Sequence, residues 1–142
     1  MRQSIGVDLV HIPGFLLQLQ EPGTTMVERS FSARERRDAQ ARARARGAQG
    51  LAGQAQHLAA RWAAKEAFIK AWCSLVTQPV MSMENVTWTQ VETLTDRWGC
   101  PRLMVSGDML HAVRESVGEF SCSVSLSHDG DTAIATVLLS AP

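Results

Sequence analysis

The chain has 142 residues, a formal net charge of zero at pH 7, and 45% apolar against 20% charged residues. That is the make-up of one globular domain, long enough to bury a core without disulfides or a structural metal. No apolar run reaches the 18 residues of a membrane span, and Met1–Ser4 lead straight into a strand pattern rather than a signal peptide, so a cytoplasmic location is expected. Cys73, Cys100 and Cys122 are spaced for neither a zinc site nor a redox pair and read as free thiols. Charge is uneven: residues 29–46 hold seven arginines against Glu35 and Asp38, residues 84–142 hold eight acids against three arginines, and the two lysines are Lys65 and Lys70.

In chain order, Ser4–Val10 is a β-branched run ended by Pro13-Gly14 and predicts a strand. Phe15–Gln20 predicts one or two helical turns, stopped at Pro22-Gly23. Ser32 with Glu35 three residues on forms a capping-box pattern, opening a helix that runs through the arginines to about Ala45. Three glycines in 46–55 predict a flexible loop. Residues 56–73 are the strongest helix, with Leu58, Trp62, Ile69 and Cys73 on one apolar stripe. Residues 74–83, around Pro79, are irregular. Asn85–Leu94 alternates and predicts a strand, Asp96–Pro101 a turn and Arg102–Ser106 a second strand. Asp108–Val117 is an amphipathic helix stopped by Gly118. Ser121–Ser127 sets Cys122, Val124 and Leu126 against serines; His128–Asp131 then turns the chain into Thr132–Leu139, a hairpin. The fold class is α+β: a single domain over 1–142, with a mainly antiparallel sheet, helices on one side and a long central helix.

Two carboxylates are out of place. Asp8 lies in an apolar strand, on the opposite face from Ile5, Val7 and Leu9. It either reaches solvent at the strand end or is buried and needs a cationic partner. Glu66 lies in the middle of the 58–62–66–69–73 stripe, where it either pairs with Lys70 at i,i+4 or faces a ligand. Two such groups in one small domain point to a shared hard cation. Few oxygen ligands favour Mg²⁺ held together with substrate phosphates, and Lys65 and Lys70 flank Glu66 as point charges suited to phosphate. His128 is either a turn residue or a ligand. The four tryptophans read as core anchors. No P-loop, G-x-G-x-x-G, G-x-S-x-G or CxxC pattern occurs. The arginine helix, with Arg34, Arg37 and Arg44 on one face, is either solvated or a surface for an anionic partner.

Ile5-Gly6-Val7-Asp8-Leu9-Val10 resembles the N-terminal strand motif of the bacterial holo-acyl-carrier-protein synthases. Arg61-Trp62-Ala63-Ala64-Lys65-Glu66-Ala67-Phe68-Ile69-Lys70-Ala71 matches their second motif, R-(F/W)-A-x-K-E-A-x-x-K-A, at every position. Gly99-Cys100-Pro101 matches their G-x-P loop, and Ser125-Leu126-Ser127-His128 resembles their S-(I/L)-(S/T)-H strand end. The resemblance runs in order from residue 4 to 139. It implies a 4′-phosphopantetheinyl transferase-like fold and transfer of 4′-phosphopantetheine from coenzyme A to a serine of an acyl carrier protein, or of a carrier domain of a fatty acid synthase. The other product is adenosine 3′,5′-bisphosphate. It further implies Asp8 and Glu66 as Mg²⁺ ligands, Glu66 and Lys70 as catalytic residues, and Lys70 on the pyrophosphate. Arg61 and His128 would lie near coenzyme A phosphates and Gly99–Pro101 against the adenine, in a homotrimer with each site between two subunits. The chain departs from the pattern twice. Ile12-Pro13-Gly14 stand where many members close the first motif with an arginine, and Cys73–Met83 replace the usual Gly-rich stretch after the lysine helix. Two rival readings are a nucleic-acid-binding module using the arginines, which the acidic half and the lack of a base-reading motif oppose, and a scaffold that keeps the fold without the reaction. A nucleic-acid or membrane partner is not expected.

Overall fold

Strand β1 (Arg2–His11) passes without a loop into helix α1 (Ile12–Leu19), because Pro13 suits a first helical turn and the His11 side chain accepts the Gly14 amide as N-cap. The computed structural model describes residues 1–78 and 81–142. Helices α2 (Met26–Ser30), α3 (Ala33–Ala45) and α4 (Gly50–Leu75) follow. The hairpin β2 (Val91–Thr95) and β3 (Pro101–Val105), helix α5 (Gly107–Val117), and the hairpin β4 (Ser121–Asp129) and β5 (Thr132–Ala141) complete the chain. All pairings are antiparallel. β5 lies between β1 and β4 in a three-stranded sheet, and β2–β3 form a separate two-stranded one.

Helix α4 crosses the inner face of the larger sheet and touches every layer of the molecule. The period of two along β1 turns Gly6, Asp8 and Val10 toward α4 and leaves Ile5, Val7 and Leu9 on the outer face. The approach is close because both sides are small. Ala59, Ala63, Ala64, Ala67 and Ala71 of α4 and Ala133 and Ala135 of β5 are all buried. A Cβ at Gly6 would fall on the carbonyl oxygen of Ala67 and within 2.7 Å of the Ala71 nitrogen. The Ser4 hydroxyl donates to the Ala71 carbonyl at 2.6 Å, which fixes the register of β1 against the helix.

The capping box forms as expected: Ser32 Oγ accepts the Glu35 amide and Glu35 returns a bond to the Ser32 amide. Four expectations need correction. The loop expected over 46–55 is confined to 46–49, because α4 begins at Gly50, where Leu51 and Ala55 already pack on the core. The stripe 58–62–66–69–73 is not the face buried on the sheet: Trp62 and Glu66 are half-buried and Cys73 is exposed, while the alanine face makes that contact. The strand expected over 85–94 is limited to Val91 onward. Met83–Asn85 and Trp88–Gln90 are 3-10 turns that aim the Trp88 carbonyl at Lys65. The turn expected at 128–131 is the two residues Gly130 and Asp131, so His128 is a paired strand residue opposite Ala133. The irregular stretch 74–83 is described only in part, since Pro79 and Val80 lie outside the described residues.

Candidate active site

The two misplaced carboxylates meet. Asp8 reaches inward from β1 and Glu66 outward from the middle of α4. Both line an open cleft of about 300 Å³ bounded also by Val10, His11, Phe15 and Trp62. Lys70, one turn beyond Glu66, closes the group. Its Nζ donates to Asp8 Oδ1 at 2.8 Å and to the Val7 carbonyl at 3.0 Å. The i,i+4 pair of Glu66 with Lys70 is therefore not made; the lysine crosses to the strand instead. Burial raises the pKa of Glu66, the negative charge of Asp8 raises it further, and Lys70 only partly opposes them. In Lys70, the hydrogen bond to Asp8 holds the ammonium above its ordinary pKa.

Lys65 plays no part in this cleft. A helix turns by about 100° per residue, so adjacent Lys65 and Glu66 leave α4 in different directions. Lys65 is fully buried, in an ion pair of 2.7 Å with the equally buried Glu35, and donates to the carbonyls of Trp88 at 2.9 Å and Val91 at 2.5 Å. The phosphate role suggested by sequence adjacency is thus overturned: all three ammonium donors are used inside the core.

A second polar cluster lies toward the N-terminal end of α4. The Arg61 side chain is 4% exposed and forms an ion pair with Asp38 of α3, while its Nη1 donates to the His57 carbonyl at 3.0 Å. Asp38 also takes Arg42 at 3.2 Å and the Thr95 hydroxyl at 3.1 Å, and Arg42 donates to Thr95 Oγ1 at 2.8 Å. Thr95 is the register partner of Pro101, the half-buried first residue of β3, so the exposed turn residues Gly99 and Cys100 that precede it stand next to this cluster. Gly99 carries a φ of +81°, and Asp96 closes the turn by accepting the amides of Trp98 and Cys100. Burial, then the charges of Arg61, Arg46 and Arg42, and last that of His128 on β4, lower the pKa of His57 to about 4. Arg61 and the Gly99–Pro101 segment are thus brought near one another through Asp38 and Thr95. Sequence reading missed Asp38, Arg42 and His57. The available signals were the i,i+4 spacings of Asp38 with Arg42 and of His57 with Arg61.

An apolar hollow of about 200 Å³ lies at the other end of α4, lined by Ile69, Trp72, Cys73, Val76, Met81 and Met83 among others, where the departure after Cys73 begins. Of the seven arginines in 29–46, Arg34 is engaged by Glu92 through two bonds, of 2.6 and 3.1 Å, and Arg42 by Asp38; Arg37 and Arg44 are exposed. Trp98 is 72% exposed and stacked by Arg97, so it anchors no core.

The sequence profile described as the 4′-phosphopantetheinyl transferase superfamily matches residues 4–137. The holo-[acyl-carrier-protein] synthase of Corynebacterium glutamicum is 48% identical over 138 residues, 96% of each chain. That of Mycobacterium tuberculosis is 42% identical over 141 residues, 98% of this chain and 97% of the other. A solved structure described as the Chronobacterium ammoniagenes ACPS-CoA complex superposes with a TM-score of 0.88 at 44% identity, covering 100% of this chain and 99% of that one. The helix–sheet frame, the strand and helix motifs it brings together and these likenesses lead to one conclusion: the chain belongs to the 4′-phosphopantetheinyl transferase superfamily, among the holo-[acyl-carrier-protein] synthases.

Proposed function

We propose that this protein transfers 4′-phosphopantetheine from coenzyme A to a serine of an acyl carrier protein or carrier domain, releasing adenosine 3′,5′-bisphosphate. On this reading it is a Mg²⁺-dependent cytoplasmic enzyme serving fatty acid biosynthesis. The observation that carries the reading is the meeting of Asp8, Glu66 and Lys70 at one cleft.

The donor set fits Mg²⁺. Among the described residues no three His, Cys, Asp or Glu side chains gather for a metal. Two carboxylates whose like charges a cation would neutralise, with room beside them for phosphate oxygens, are what Mg²⁺ takes in phosphoryl-group enzymes. Asp8 and Glu66 would hold it, and when bound it supplies neutralisation of the pyrophosphate charge. The serine oxygen bonds to the β-phosphorus while the bond from that phosphorus to the bridging oxygen breaks, and the electron pair leaves on the bisphosphate. Glu66 takes the serine proton, directly or through an intervening water. Lys70, fixed by Asp8 and the Val7 carbonyl, offsets charge growing on the leaving bisphosphate. Arg61 and His128 hold a coenzyme A phosphate, and the adenine rests on Gly99–Pro101.

The outer face of β1 supports a homotrimer. Ile5, Val7 and Leu9 are 64%, 46% and 65% exposed, with Leu138 and Ile134 of β5 opposite Ile5 and Leu9. Light scattering at the mass of three chains tests the assembly. The exposed arginines of α3, Arg37 and Arg44, are the docking surface for an acidic carrier. The internal pairing of Arg34 and Arg42 weakens the nucleic-acid alternative. To test the reaction, coenzyme A, Mg²⁺ and apo-carrier protein are incubated with the enzyme and the nucleotide product is followed by chromatography. Adenosine 3′,5′-bisphosphate should form only when all components are present; its absence with a confirmed apo-carrier would overturn the reading.

A further inference from the structure

The cleft that holds Asp8 and Glu66 has a second side. Its lining continues through Val10 to His11, Gly14 and Gln18 at the corner between β1 and α1. The His11 side chain is exposed there, and one of its ring nitrogens is already committed. Nδ1 accepts the Gly14 amide at 3.3 Å as the N-cap of α1, and an accepting nitrogen carries no proton. The proton of the capped ring is therefore on Nε2, which makes this ring a donor and not a base. The backbone amides of the same corner are taken. That of Ile12 goes to the Asp131 carbonyl at 2.7 Å, Pro13 has none, and that of Gly14 goes to His11 itself. Of the other side-chain donors in the lining, Gln18 lies one turn beyond Gly14, and Trp62 packs its ring against Phe31 and Trp88. Lys70 binds Asp8 and the Val7 carbonyl and is not part of the lining. A phosphoryl group in this cleft would thus face two carboxylates and the Nε2–H of His11.

We propose that His11 is a further catalytic residue, whose Nε2–H donates to a non-bridging oxygen of the phosphoryl group in transfer. The inference rests on the reading of this cleft as the place of transfer. Charge on those oxygens shifts as the serine oxygen bonds to phosphorus and the bridging oxygen leaves. A donor already fixed by its own cap needs no reorientation at that moment. Lys70 serves the leaving bisphosphate and His11 the group that moves, so the two donors divide the reacting centre between them.

Two substitutions take the two ring nitrogens apart, because an asparagine amide falls where Nδ1 stands and a glutamine amide where Nε2 stands. His11→Asn keeps an oxygen to cap Gly14 and loses the donor. Its Tm should hold and its coenzyme A KM stay near wild type, while kcat falls roughly tenfold to a hundredfold. His11→Gln keeps the donor and loses the cap. Its Tm should fall by about 2–5 °C, and it should recover most of the turnover per folded molecule that His11→Ala loses. Wild-type kcat in His11→Asn, or a loss confined to the carrier KM, overturns the inference. NMR of the full chain with labelled histidine adds a readout without turnover. In the presence of Mg²⁺, coenzyme A should shift the His11 Nε2 signal. Adenosine 3′,5′-bisphosphate, which lacks the phosphoryl group to be transferred, should leave that signal near its free position. Calorimetry of coenzyme A binding keeps the two levels apart. If coenzyme A binds and the His11 signal answers both ligands alike or neither, only the role of His11 falls; if coenzyme A does not bind, the reading of the cleft falls with it.

Discussion

Glu66 is held in a place that suits its task and not its own ionisation. Burial and the charge of Asp8 raise its pKa above the ordinary 4.5, so the folded protein disfavours the carboxylate. For an acid with a raised folded pKa, the destabilisation is present above that pKa and relieved as pH falls through it toward the unfolded value. Metal-free Glu66→Gln should therefore melt about 1–2 °C above wild type at neutral pH, allowing for its half-exposed position, with the gap closing as pH approaches 4.5. The same variant and Asp8→Asn should lose transfer activity, since a neutral amide is a poor ligand for Mg²⁺. A calorimetric scan and a turnover assay on one preparation check both; wild-type turnover in either variant at limiting Mg²⁺ contradicts the role. Asp8 was legible in the sequence because a carboxylate among β-branched residues breaks a local rule, and Glu66 because it interrupts an apolar stripe. Lys65 misled because adjacency along a helix is not adjacency in space. Asp38, Arg42 and His57 gave little sign because the cluster forms only when α3 packs on α4.

At the scale of elements, the two lysines five residues apart have opposite roles. Lys65 ties α4 to α3 and to the start of β2 through a buried ion pair, and removing one partner leaves Glu35 charged in the core. Lys65→Ala should cost about 3–5 kcal/mol in urea unfolding. Lys70, half-exposed at its pair with Asp8, should cost no more than about 1 kcal/mol as Lys70→Ala, while turnover falls roughly tenfold to a thousandfold. If Lys70→Ala lost stability and kept turnover per folded molecule, its role would be structural. Gly6 makes a second test. Its Cβ position is occupied by helix backbone, which cannot move aside as a side chain can, so Gly6→Ala should destabilise by about 3 kcal/mol or more. A Tm equal to wild type would show that β1 and α4 are not in such close contact. The helix starts and stops were legible because capping is local: Ser32 with Glu35, Gly118 at the end of α5. The strand expected over 85–94 was overdrawn because Lys65, distant in sequence, needs the Trp88 carbonyl bent toward it. Likewise, three glycines in 46–55 hid the first turns of α4, whose apolar residues are held by the core rather than by propensity.

For the whole molecule, zero net charge conceals a basic helix and an acidic C-terminal half. The arginines of α3 that remain outward, Arg37 and Arg44, should steer an acidic carrier mainly through its association rate. Arg37→Glu with Arg44→Glu should raise the carrier KM several-fold at low salt and leave the coenzyme A KM nearly unchanged; the wild-type carrier KM should rise with salt as screening sets in beyond about 10 Å at 0.1 M. An unchanged carrier KM at low salt would make α3 a solvated face. The central claim is that the Asp8–Glu66–Lys70 cleft moves phosphopantetheine onto a carrier serine. Its most direct test is the intact mass of an apo-carrier protein after incubation with coenzyme A, Mg²⁺ and either wild-type enzyme or Glu66→Gln. The account predicts a gain of one phosphopantetheine, located on a serine, with the wild type and none with the variant. A carrier left unmodified by the wild type, or modified equally by both, would contradict it.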